Sequence, residues 1–191
     1  MKRIIALCLL AVMLLGLTGC NQEPQRMSLK GINVTLTVPG DLNVFTQELQ
    51  EDDPVLEKFN TNKAGVERGL RNRKSYLYVF DDDQSFGLDF CCMVSKTDDY
   101  KDLSQEDQHQ LVWDYKASLV GAYEIHEAEI RRMGTEDYVF LHYSDSVNHY
   151  WRWSTNRSDR LYYGTLTSAE EAVGREQLPW VEEMLTSMAF N

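Results

Sequence analysis

The nine residues "HYSDSVNHY", 142 to 150, come nearer to a metal site than any other stretch of this chain. His142 and His149 flank the turn formers Asp145 and Ser146. A two-residue Asp145-Ser146 turn builds a β-hairpin in which Ser144 faces Val147 and His142 faces His149. Neutral imidazoles opposed on one sheet face can share a divalent ion. Catalytic zinc normally takes three protein ligands, and a third is not obvious: Glu136 lies on the same face but about 20 Å along the strand from His142. His126-Glu127 lacks the second histidine of a helical H-E-x-x-H motif. Lengthening the turn by one residue would send the two imidazoles to opposite faces. The expectation is therefore no metal, with His142 and His149 as ordinary strand residues beside an aromatic ladder of Tyr138, Phe140, Trp151 and Trp153. A metal-binding protein or metal-assisted hydrolase using His142 and His149 is the alternative.

A second candidate is a ligand face at Trp151, Arg152 and Trp153, within "YWRWSTNRSDR", the one locally basic patch of an acidic chain. Exposed indoles stack on sugars or peptides, and arginines recognise carboxylates and phosphates. The opposing reading is that cross-strand aromatic pairs stabilise a sheet and a helix covers them. The acidic clusters Asp81 to Asp83 and Asp98 to Asp102 lack the spacing of a calcium loop. The sequence has no G-x-S-x-G, S-x-x-K, phosphate-cradling glycine loop or dinucleotide fingerprint. No catalytic residues and no cofactor are expected, and the chain reads as a non-enzyme.

Chemistry of another kind is written into the first twenty residues. Lys2 and Arg3 precede an apolar run, Ile4 to Leu15, and small residues then lead to Cys20. This is the layout of a secretory signal, and the run is too short for a membrane span of about 20 residues. Leu17-Thr18-Gly19-Cys20 resembles the lipobox of bacterial lipoproteins. The resemblance implies that residues 1–19 are removed and that the Cys20 thiol carries a diacylglycerol, with further acylation of its amino group. One acyl chain holds a protein at a bilayer only marginally, whereas two or three hold it stably. The chain is thus expected at a bacterial cell membrane, lipid-anchored on its extracytoplasmic side.

Cleavage leaves 172 of the 191 residues, enough for one domain with its own core. The discarded segment takes two of the 19 basic residues and none of the 30 acidic ones, so the remainder carries 17 against 30, a net charge of −13. Such a surface repels phosphate backbones and makes nucleic acid a poor partner. Cys91 and Cys92 are strand neighbours pointing to opposite faces, and they read as small buried hydrophobes rather than as a redox pair.

The elements that must position these groups follow from periodicity. Residues 20–28 read as a lipidated N-terminus and flexible tether, and 29–191 as the domain. Ile32, Val34, Leu36 and Val38 alternate with polar residues as a first strand ended by Pro39-Gly40. Asp53-Pro54 starts a short helix of open extent toward Leu70. Residues 75–80 and 85–95 form a hairpin across an acidic turn. Ser104 and Asp107 cap a helix with the stripe Leu111, Val112, Tyr115, Leu119. Four β-like runs, 123–132, 136–143, 147–154 and 160–167, make an antiparallel meander. Ser168 and Glu171 open a final helical region that Pro179 is expected to restart. The sum is an α+β fold: an antiparallel sheet with a four-strand meander, covered by helices.

This layout, with "VPGDLNVF" after the first strand and the closing "VEEMLTSMAF", resembles the PsbP-like fold over residues 30 to 190. That family comprises extrinsic photosystem II subunits, a Ran-binding nuclear import factor and many small bacterial lipoproteins. The resemblance implies an α/β/α sandwich and a non-catalytic module that binds or assembles with others.

Overall fold

Val34, Leu36 and Val38 alternate with Thr35 and Thr37 to build β2 (Val34–Val38), whose apolar side chains are wholly buried. The structure is a computed structural model that describes residues 23–191. In it, β2 lies between β1 (Gln25–Leu29) and β10 (Ala189–Phe190) in a three-stranded antiparallel sheet. The expected signal segment 1–19, the expected lipobox Leu17-Thr18-Gly19 and the expected acyl acceptor Cys20 lie outside the described residues. Of the stretch 20–28 expected as a tether, residues 25–28 belong to β1. Gln25 to Leu29 pair with Val38 to Val34, and the Gln25 side chain donates to the carbonyls of Pro39, Gly40 and Leu42. A polar edge strand with one buried residue has no alternation to betray it in the sequence.

The larger sheet holds β3 (Asn43–Thr46), β4 (Ser75–Phe80), β5 (Phe86–Val94), β6 (Glu124–Met133), β7 (Glu136–Ser144), β8 (His149–Arg157) and β9 (Arg160–Ser168). Their order is β3-β4-β5-β9-β8-β7-β6, and every pairing is antiparallel. The expected meander is thus present as β6 to β9, and the fold class is α+β. Two short helices, α1 (Pro54–Lys58) and α2 (Lys63–Arg73), occupy the stretch after Asp53, where the sequence suggested one. The Asp53 and Asn62 side chains cap them by accepting from Val55 N and Gly65 N. Helix α3 (Gln105–Leu119) starts at Ser104, whose hydroxyl accepts from Asp107 N.

Helix α4 (Glu171–Thr186) runs through Pro179 without a restart. A proline costs an interior helix one N–H donor. Here Val181, Met184 and Leu185 beyond it are almost completely buried, and their burial holds the two halves in one rod. The expected Ser168–Glu171 capping box is absent as well: the Ser168 hydroxyl accepts from Glu170 N, one residue short of the helix.

Core packing divides along the two faces of the larger sheet. One face meets the three-stranded sheet and α4, burying Leu36, Leu88, Tyr138, Phe140, Trp151, Trp153 and Val181 together. The other meets α3, whose Leu111, Val112, Tyr115 and Leu119 cover Val139, Leu141 and Tyr143. Strand β7 lies between these layers, and all nine of its residues are buried. Residues of β7 that cannot ionise freely or find partners therefore demand a reason, and His142 is one of them.

Candidate metal centre

His142 has no exposed surface. It sits in β7 with its ring stacked on Trp151 of β8, centroids 4.6 Å apart and planes within 7°. Burial depresses its pKa first, His126 and Arg175 depress it further, and Glu171 and Glu127 oppose them; the result is about 4. The imidazole is neutral at any ordinary pH, the form that offers a lone pair to a metal.

The turn after β7 places His149 beside it. The chain uses a four-residue loop, Asp145 to Asn148, instead of the expected two-residue turn, and the Asp145 carboxylate accepts from Val147 N and Asn148 N. This shifts the register by two residues on β8: His149 pairs with Ser144, and His142 with Trp151. An even shift preserves the face, so His142 and His149 remain on one side as diagonal neighbours. His142 Nε2 and His149 Nδ1 are 3.4 Å apart. Two nitrogens on a tetrahedral zinc, each about 2.1 Å from it, are separated by about 3.4 Å.

The third imidazole comes from β6, from His126, which the sequence showed only as part of an incomplete H-E-x-x-H motif. Pairing of β6 with β7 steps from Ile125↔Tyr143 to Glu127↔His142, so His126 is the extra residue of a β-bulge. Alternation counted back from Ala128 and Ile130, which pack under α3, would turn His126 to that side. The bulge turns it instead over the His142 face, where its Nε2 lies 2.8 Å from Ser144 Oγ and its ring 4.5 Å from that of His142. One nitrogen each from His126, His142 and His149 lie within 4.8 Å of one another. The three run from exposed to buried, His126 at the surface and His142 beneath.

Charged groups frame the cluster. Glu127 Oε1 is 3.8 Å from His142 Nδ1, which has no hydrogen-bond partner among the described residues. The same oxygen accepts from Arg175 at 3.3 Å, and Oε2 accepts from Arg131 at 3.1 Å. Arg175 also donates from Nε to Glu171 at 2.7 Å. The histidines are therefore borrowed from three adjacent strands, and α4 supplies the rim of charge above them. Three imidazoles at this spacing can hold a zinc-type ion and leave its fourth position to another donor.

Glu136, weighed as a ligand, lies at the far end of β7 as its spacing implied, where it is buried against Arg157 and Lys101. The candidate ligand face at Trp151, Arg152 and Trp153 is not a surface, and the opposing reading of a helix-covered aromatic face describes the two indoles. Both indoles are completely buried under α4 and β2, and Arg152, one step out of phase, points to the other side of the sheet against Tyr163. Cys91 and Cys92 are free, Cys91 buried and Cys92 half-buried.

No family model and no curated protein sequence matches the chain. Solved structures do. The chain is similar to cyanobacterial PsbP (CyanoP) from Synechocystis sp. PCC 6803, with 14% identity, a TM-score of 0.52, and 91% of this chain and 95% of that one covered. It is also similar to a Bacteroides thetaiotaomicron VPI-5482 protein, with 12% identity, a TM-score of 0.51, and 89% of this chain and 49% of the other covered. The architecture is the PsbP-like fold.

Proposed function

We propose that this chain is a lipid-anchored extracytoplasmic module that binds rather than transforms its ligand, and that its ligand is a divalent transition-metal ion of the zinc type. The observation that carries the metal reading is the convergence of His126, His142 and His149, with the 3.4 Å nitrogen separation between the last two matching a shared ion. Nitrogen donors and a tight, partly buried site favour zinc, copper or nickel over magnesium or calcium, which prefer oxygen. Support for the anchor is the Leu17-Thr18-Gly19-Cys20 motif with its short apolar lead, and the domain begins at β1 only a few residues beyond Cys20. The PsbP-like architecture is consistent with a binding or assembly role.

Isothermal titration of zinc into metal-stripped protein carrying no histidine tag tests the reading. One saturable site per chain, lost in His142→Ala, is expected. Zinc uptake that is absent, or unchanged by His142→Ala, would overturn it.

A further inference from the structure

Metal sites depend on the partners behind the ligands as well as on the ligands themselves. His142 presents Nε2 toward His149 and Nδ1 toward β6, so only one tautomer leaves the metal-facing lone pair free. The proton must sit on Nδ1. That atom is buried and has no hydrogen-bond partner among the described residues, and Glu127 Oε1 lies 3.8 Å from it. A bare lone pair there would face a carboxylate, while an N–H is attracted to it.

Resting on the metal reading above, we infer that Glu127 is the positioning carboxylate of this site and that Arg175 competes for it. Glu127 holds the proton of His142 on Nδ1, and its Oε1 is divided between His142 and the Arg175 guanidinium at 3.3 Å. An ion on Nε2 polarises the ring and strengthens its Nδ1–H as a donor. The same ion repels Arg175. Both effects move Oε1 from the arginine to the histidine, so loading the site loosens the link between β6 and α4. Arg131 anchors the other oxygen at 3.1 Å and keeps the carboxylate in place during the exchange. Arg175 retains Glu171 as a partner, at 2.7 Å, when it lets go.

Two measurements separate this inference from the metal reading itself. Long-range proton–nitrogen NMR on the metal-free protein reports the His142 tautomer without any ion: Nδ1–H is expected, and Nε2–H would overturn the role of Glu127 whether or not zinc binds. Zinc titration then compares variants. Glu127→Gln is expected to weaken zinc binding about 10- to 100-fold. Arg175→Ala is expected to tighten it about two- to fivefold, the scale of a partly exposed charge pair. Opposite directions cannot both come from a damaged fold. Equal affinity in Glu127→Gln, or weaker binding in Arg175→Ala, would contradict the assignment.

Discussion

Gly174 of α4 lies so close over the indole of Trp151 on β8 that a methyl group built on its Cα would overlap the ring atoms Cζ3 and Cη2. This contact seals the aromatic face of the sheet. Trp151 in turn is the plate on which His142 stacks, so the helix, the indole and the imidazole form one column from surface to site.

Gly174→Ala is expected to destabilise the protein by about 1–3 kcal/mol, because a buried indole between two layers cannot yield without disturbing its neighbours. In a domain of this size that is a drop of about 3–10 °C in melting temperature, readable by calorimetry. Trp151→Ala is expected to cost about 3–5 kcal/mol through the cavity it leaves. A Trp151→Ala variant that melts like the wild type would return the residue to the surface.

Acid should weaken the metal-free protein through His142. Its pKa in the folded chain is about 4 against the ordinary 6.5, so as pH falls the unfolded chain takes up the proton first. Stability present above about pH 6.5 is lost progressively down to about pH 4, at most on the order of 3 kcal/mol. His126 and Glu127 on β6, His149 on β8, and Glu171 and Arg175 on α4 face the ring. Urea unfolding of wild type and His142→Gln across this range isolates its share. Parallel curves would contradict the assigned depression.

His126 is exposed, and its loss should leave the fold within about 0.5 kcal/mol of wild type. Zinc affinity in His126→Ala should nevertheless fall by at least the about 10- to 100-fold that loss of a supporting partner costs. Titration and thermal melts on one preparation show both. Unchanged affinity would reduce the site to two ligands.

Cys20→Ser should leave residues 1–19 uncleaved and remove the acyl mass from the chain. Mass spectrometry of membrane-extracted wild type should find a polypeptide that starts at a triply or doubly acylated Cys20. An unmodified N-terminus elsewhere would contradict the anchor.

The fold was legible where periodicity is strong, as in β2, the 75–94 hairpin and the four-strand meander, because alternation against a core leaves its mark on each residue. It was illegible at β1, a polar edge strand recognised only by its pairing, and at Pro179, where packing of Val181 and Met184 overrides the proline. The site was half legible. The spacing of His142 and His149 placed them on one face, and an even register error did no harm. His126 was hidden because a bulge inverts alternation, and nothing in "YEIHEAEI" announces that pairing will skip a residue. The two tryptophans left two readings open for a related reason: aromatic residues mark cores and ligand faces alike until the covering helix is known.

The most direct test of the metal centre is a crystal structure of the zinc-soaked protein with diffraction data collected on both sides of the zinc absorption edge. A single anomalous peak within about 2.1 Å of a nitrogen on each of His126, His142 and His149 is the predicted result. A map with no peak among the three rings, or with zinc held only by surface carboxylates, would contradict it.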